Sequence, residues 1–335
     1  MSQGNIFTKI QYGPEASAYG TKAVAWTELS RVQSSELNSD NGNIYDRGSG
    51  EGINAVKTYY GKFEASGNVV FNPVSFDFLK HWVGGKSGAG SSSGDPFELN
   101  EATSTDTTAG ATVLQPFSLE RTNDVESTDS TEWGLGCMGT DFTLSGAINE
   151  KLVCNANFVG QKTTFKAATG ETYTPVDEAA FIMLNGTWKW GATPSAISGV
   201  REFTISYANG LILETRSIES RFMNMPQLGQ RVYTFSVGII MASALATTII
   251  NDFYGDVSSG TYTPEDGSTS ISPTSSLEFK VELVNGSKYA NLQLDECAID
   301  RISKPNALGG GLVMLTFEGT ARQGKSNQPI VWWSV

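Results

Sequence analysis

Chemistry, if this chain performs any, has few residues to work with. Gly134-Leu135-Gly136-Cys137-Met138-Gly139 matches the GxGxxG spacing that lets a backbone approach a pyrophosphate. That use requires a preceding strand and a following helix whose N-terminus meets the phosphates. Here Asp141-Phe142-Thr143-Leu144 continues as a strand, so a glycine-rich turn is expected instead. The single histidine, His81, has no second histidine with which to hold a metal, and no serine or aspartate stands in a nucleophile setting. A structural, partly buried role is expected for it. Glu36, Asn38 and Asp40 offer oxygens at calcium-loop spacing, but Asn41 takes the sixth place, where the sharp turn needs glycine.

Cys137, Cys154 and Cys297 cannot all pair and form no CxxC, so they are expected as buried thiols in a reducing cytoplasm. Asn185-Gly186-Thr187 and Asn285-Gly286-Ser287 are formal glycosylation sequons, yet each reads better as a hairpin turn. No carboxylate pair is marked out by position, which leaves glycoside hydrolysis without a named site. The expectation is a protein without enzymatic activity, cofactor or metal.

The elements that would carry these residues are strands. The chain has 335 residues, of which only 17% are charged, and Gly, Ser, Thr and Asn are abundant. That balance suits strands and turns better than long charged helices. The net charge of −12 argues against a basic nucleic-acid clamp and suits solubility or repulsion of a passing polyanion. The first residues show no basic region followed by an apolar run, so no secretory signal is expected. The most apolar segment, Val237 to Ile250, is shorter than the roughly 20 residues a membrane helix needs, so no membrane insertion is expected.

Two stretches share one layout: an alternating strand, a short amphipathic helix closed by glycine, and a long Ser/Thr/Gly loop. The first runs from Tyr60 to Phe71, with a helix predicted over Asn72–Val83, an Asn72 cap, and Gly84 closing it left-handed. Lys86 to Thr112 follows as a flexible, low-complexity loop. The second runs from Arg231 to Ile240, with a helix over Met241–Tyr254 on Leu245, Ile249 and Phe253, closed by Gly255. Their offset of roughly 170 residues, about half the chain, points to internal duplication. Hairpins are expected at Asn185-Gly186 and Asn285-Gly286, and a turn at Asn209-Gly210 into a Leu211–Glu214 strand. Asp141–Ser145 and Lys151–Gly160 are strands joined by Gly146–Glu150. The apolar tail Ile330–Val335 is expected to pair as a strand or dock on a neighbour. A linker is placed at 166–178, between domains at 1–165 and 179–335. The polar run Ser34–Gly52 reads as a long loop with only a short counterpart, Glu214–Arg231, in the second half.

The order of these elements resembles the tail tube (major tail) proteins of long-tailed bacteriophages and archaeal viruses. The residues that carry it are the long loop Ser34–Tyr60, then strand, helix and Gly84-Gly85, then Phe117–Arg121, Gly139–Ser145 and Asn157–Gln161. Gly199–Glu214, Tyr233–Gly255, Leu277–Val284 and Leu312–Gly319 echo them. Members usually carry one such domain, although some are duplicated.

The resemblance implies a mainly β fold: two tandem β-sandwich tail-tube domains, each with one short flanking helix, joining neighbours into a ring with an inner β-barrel. Two domains per chain would make a ring of three chains, with true three-fold and approximate six-fold symmetry. Stacked rings would form a tube assembled in the host cytoplasm, through which viral DNA passes, with tape measure and tail terminator proteins as further partners. The resemblance also implies that the long loop reaches the next ring, with Tyr45, Asp46, Arg47 and Glu51 as contacts. Two rivals come from other classes. A two-domain β-sandwich binding module of lectin or adhesin type would show exposed loop aromatics, for which Trp332-Trp333 is the candidate. A glycosidase-like enzyme would depend on an acid pair.

Overall fold

A computed structural model describes residues 7–15, 18–46, 57–88, 97–101, 114–124, 130–167, 178–191, 195–241, 249–250, 253, 278–303, 313–321 and 331–334. The first run of strands is β1 (Phe7–Pro14), β2 (Thr27–Glu28), β3 (Val32–Asp40), β4 (Ile44–Asp46), β5 (Lys57–Tyr59) and β6 (Glu64–Phe71). A turn of 3-10 helix (Asp77–Leu79) leads into helix α1 (Lys80–Val83). Then come β7 (Gly84–Ser87), β8 (Phe97–Glu101), β9 (Phe117–Asp124), β10 (Ser130–Ala147), β11 (Val153–Gly160) and β12 (Lys162–Ala167). The later run is β13 (Gly186–Gly191), β14 (Ser195–Ile197), β15 (Val200–Ala208), β16 (Val232–Ile240) and β17 (Glu278–Asn285). It ends with β18 (Lys288–Leu294), β19 (Cys297–Ser303), β20 (Met314–Ala321) and β21 (Val331–Ser334).

A central antiparallel path runs β3-β6-β11-β10-β15-β16-β20-β19. Its first four strands come from the earlier run and its last four from the later one, and the two sets repeat one order. The registers repeat as well. Val32 pairs with Phe71 and Val200 with Ile239, each followed by a bulge, at Val32/Ser34 and at Val200/Glu202. A second bulge recurs at Gly139/Asp141 and Ile299/Arg301, so that Asp141 opposite Asn157 corresponds to Arg301 opposite Glu318. Bulges accentuate local twist and re-aim side chains, which makes their shared position specific. The flanking strands repeat too: β2-β1-β9-β10-β12 in one sheet and β14-β13-β17-β18-β21 in the other.

The eighteen-residue β10 serves two sheets. Its first part pairs with β9 and β12, and its second with β11 and β15. Gly136, at φ 65°, permits the change of direction between them. The expected glycine-rich turn over 134–139 is thus a bend within one strand, and no helix follows it.

Alternate residues of the central sheet enter one core. Phe71, Phe142, Phe158, Phe203, Ile205, Phe235 and Phe317 are all buried. Trp82, Phe78 and Phe117 close over the first strand set, with Phe78 and Trp82 at 4.7 Å between ring centroids. Burial of such rings stabilises by roughly 1.5–3 kcal/mol each.

Several expectations need correction. The helix over Asn72–Val83 shortens to Asp77–Val83, because Asn72 does not cap it. Its amide donates to the Leu152 carbonyl at 2.8 Å instead, holding 72–76 outside the helix. Gly84 adopts φ 147°, ψ −121°, not the left-handed helical cap, and the chain enters β7 at once. The Lys86–Thr112 segment contains β8, which pairs with β7 and β21. Asn185-Gly186 forms no hairpin: Gly186 is extended at φ −90°, and β13 pairs with β14 and β17. Leu211–Glu214 forms only an isolated bridge, Ile212 to Gln227.

Other expectations hold. Asn285-Gly286 does turn a hairpin, with Gly286 at φ 65°. The tail pairs as β21 on β18 and β8. Of the predicted Met241–Tyr254 helix, residues 249–250 and 253 are helical, while Leu245 and Gly255 lie outside the described residues. Most of the predicted linker, 168–177, also lies outside them.

Candidate functional site

The central sheet buries one face and offers the other. On that open face, small polar residues meet across strand after strand. Thr143 and Ser206 hydroxyls lie 3.3 Å apart, and Asn68 donates to Asn155 at 2.7 Å. Register places Ser145 opposite Thr204, Ser206 opposite Thr234, and Thr234 opposite Thr320. Acids punctuate this surface at Glu36, Asp40, Glu64, Asp141, Glu202 and Glu318, each alternating onto the same side. Among the paired, described positions of this face, Arg301 is the one cation. It stands 3.8 Å from Glu318 and is 71% exposed. A surface of hydroxyls and amides in which carboxylates outnumber cations disfavours the approach of a polyanion.

The face is bounded by two open edges. Among the described residues β3 pairs only with β6, and β19 only with β20. The β19 edge, Cys-Ala-Ile-Asp-Arg-Ile-Ser, carries Asp300 and Arg301 among apolar residues. The β3 edge is polar: it reads Val-Gln-Ser-Ser-Glu-Leu-Asn-Ser-Asp, and seven of its nine positions are polar. That polarity made Ser34–Asp40 read as loop, so its strand state is a correction. Polar, charged edges are how proteins keep an unpaired strand from indiscriminate association. The calcium-loop reading of Glu36, Asn38 and Asp40 fails for the same reason, since the three lie on an extended strand. Among the described residues no group of three ligands could hold a metal.

Between the two strand sets, β10 and β15 are zipped from Asp141 opposite Ala208 to Ala147 opposite Glu202. Beyond the end of β15, residues 209–231 lie over the end of the first set. Asn209, fully buried, donates to the carbonyls of Trp82 at 2.6 Å and Gly139 at 2.9 Å. Further along, the Phe63 backbone donates to Arg221 and Gln161 to the Met223 carbonyl at 3.1 Å. Leu211, Met225 and Leu228 pack on Leu114 and Met138.

Residues 41–63 occupy the corresponding place after β3, and this segment matches 209–231 in length. The expectation of only a short counterpart is therefore overturned. Each segment closes on a pair of glycines at the same spacing. A Cβ at Gly61 would sit 2.0 Å from the Gly42 carbonyl oxygen, and one at Gly229 would sit 1.9 Å from that of Gly210. Gly42 and Gly210 share φ near 55°, at 52° and 57°.

The 41–63 segment carries the hairpin β4–β5, with Tyr45 opposite Thr58 and Asp46 opposite Lys57. Tyr45 is 62% exposed, and Ile44, Tyr59 and Tyr60 beside it are also open to solvent. Arg47 and Glu51 lie outside the described residues.

Buried titratable groups elsewhere are structural. His81 is enclosed by Tyr12, Phe78 and Phe117, with Nδ1 3.0 Å from the Gln115 carbonyl. Burial lowers its pKa to about 4, so the ring is neutral. Glu15 accepts from the Gly136 and Gly20 amides, yet burial outweighs those bonds and raises it to about 7. Cys137, Cys154 and Cys297 are buried free thiols, as expected, and burial pushes the first two well up.

Sequence reading missed the polar face itself. The signal was present in the alternation of Asn155, Asn157 and Thr316, Glu318, Thr320 with apolar residues, but alternation alone does not say which strands lie side by side. No helix among the described residues is long and apolar enough to cross a membrane. A family model described as phage tail tube protein matches residues 8–321. No curated protein matches the chain significantly.

Proposed function

The chain belongs to the phage tail tube protein family, and from that premise we propose that it is an internally duplicated subunit whose sheets close into a ring. A structural component of the virion tail needs no catalytic constellation; it needs surfaces that join copies and a surface that faces the genome. The proposal assigns the first role to the two open edges and the second to the polar, acid-bearing face. Three chains would then place six similar strand sets around one axis, with rings stacked into a tube.

The observation that carries this reading is the repeated strand order across β3-β6-β11-β10 and β15-β16-β20-β19. A head-to-tail junction inside one chain leaves the same two edge types free at its ends. A heterologous junction of this kind closes into a ring when its rotation divides the circle. Closure also removes the edges, the only complete remedy for unpaired strands. The acids of the open face would line the lumen, where they let DNA slide without adhering.

On the same reading Tyr45, Asp46, Arg47 and Glu51, on the segment between β3 and β6, contact the adjacent ring. Tape measure and tail terminator proteins would meet the column of rings, and assembly would take place in the host cytoplasm. Deleting Tyr45 to Glu51, which leaves β3 whole, tests the loop's part: folded chains that no longer polymerise support it, and normal tubes rule it out. Particle images of purified protein test the whole reading. Stacked hollow rings of three chains are expected; dispersed monomers or six chains per ring would refute it.

A further inference from the structure

We infer that β19 of one chain pairs antiparallel with β3 of a second copy in one defined register, with Arg301 opposite Asp40 of that copy. The inference rests on the ring reading and adds to it the residues that meet. Its basis is the junction already present within the chain. There Asp141, Phe142 and Thr143 of β10 face Ala208, Tyr207 and Ser206 of β15. Arg301 holds the position of Asp141, being the first residue paired after the equivalent bulge. Asp40 holds the position of Ala208, since Val32–Asp40 and Val200–Ala208 share their bulge and their pairing to β6 and β16. Carrying the junction across puts Arg301 against Asp40, Ile302 against Ser39, and Ser303 against Asn38.

The side chains fit that register. Arg301 is the one cation among the described, paired positions of the open face and is highly exposed, its contact with Glu318 lying at the long limit of 3.8 Å. Asp40 and Glu36 make the facing edge acidic. Opposite charges directly across an antiparallel pair are favourable, and like charges are not. Within the chain the same place holds Asp141 beside Ala208, where the carboxylate accepts from the Asn157 amide on its own strand set and faces no charge across the junction. Asn41 would repeat the part of Asn209, its amide reaching the Ile299 carbonyl as Asn209 reaches that of Gly139. A slip of one residue would turn every side chain to the other face, so the register admits a sharp test.

The test uses the full chain with Asp40→Cys and Arg301→Cys together, oxidised after assembly. Cross-linked dimers and trimers are expected on a denaturing gel, with the ladder stopping at trimer. Ser39→Cys with Arg301→Cys points the two thiols to opposite faces and should cross-link by about ten-fold less. Charge reversal is an independent arm. Arg301→Glu or Asp40→Lys alone should weaken assembly about five-fold per contact, and the double reversal should restore it. Circular dichroism and thermal melts of the unassembled chain confirm that each variant folds. If tubes form but the Ser39 pair links in preference, or the double reversal fails to rescue, the register is wrong while the ring reading stands. If the unaltered chain forms no rings, both fall.

Discussion

The side-chain amide of Asn209 donates to the backbone carbonyl of Gly139 at 2.9 Å, across the junction between the two strand sets. The same nitrogen reaches the Trp82 carbonyl at 2.6 Å, and Tyr207 donates its hydroxyl to the Asn209 oxygen at 2.6 Å. This buried amide locks the later set onto the earlier one at the point where the chain leaves β15. Asn209→Ala would leave two carbonyls without this donor in a dry site. The Trp82 carbonyl keeps the Tyr207 hydroxyl at 3.2 Å, so the expected loss is that of the Gly139 carbonyl, about 1–3 kcal/mol of unfolding free energy. Urea denaturation of the unassembled chain measures it, and a loss under about 0.5 kcal/mol, the scale of a surface substitution, would contradict the role.

The glycine pairs set a second prediction. Gly210 has positive φ, and a Cβ there would lie 2.2 Å from the Gln230 carbonyl oxygen, whereas Gly286 has similar φ with nothing nearby. Gly286→Ala should therefore cost only the left-handed strain, about 1 kcal/mol. Gly210→Ala and Gly42→Ala must also displace backbone, so both should cost distinctly more, and by similar amounts. Thermal melts of the three variants decide. Equal losses at all three would show that the close approach carries no energy.

These glycines also mark where sequence was legible and where it was not. Asn285-Gly286 announced its hairpin because the turn is local and needs only positive φ. Asn185-Gly186 carried the same letters but sits extended beside β14 and β17, a placement decided by distant strands. The repeat was visible as a layout, and buried Cys137 and Cys297 fill equivalent places two residues before matched bulges. The polar letters of β3 hid a strand, because an edge kept free for a partner looks like a loop. The open face was invisible until pairing set Thr143 beside Ser206. Of the proposed loop contacts, Tyr45 stands exposed on the β4–β5 hairpin.

The open face predicts an electrostatic outcome. Thr234→Lys with Thr204→Lys adds cations at half-buried to exposed positions without disturbing the core. Assembled tubes of the variant should retain duplex DNA in a salt-sensitive manner, while unaltered tubes should not. Each added phosphate contact steepens the salt dependence by a slope of about 0.9 in log–log terms. Retention by unaltered tubes would argue against that face lining the lumen.

Glu15 and His81 predict opposing pH effects. Glu15 is raised from 4.5 to about 7 in the fold. The folded chain therefore binds more protons than the unfolded one in that window, and stability falls as pH rises through it. His81 is lowered from 6.5 to about 4, so its contribution is full above 6.5 and is lost as pH falls toward 4. Between pH 5 and 6.5 the two slopes oppose. Glu15→Gln should expose stability rising with pH, and His81→Phe should expose stability falling with pH. Denaturation midpoints at several pH values check both signs.

How copies join decides the function of this chain, and a reconstruction of the native assembly reads that directly. Three chains per ring are expected, with an inner barrel built from three copies of the eight-stranded path and β19 of each chain laddered to β3 of the next. A ring of six chains, or density in which those two edges remain apart, would contradict that arrangement.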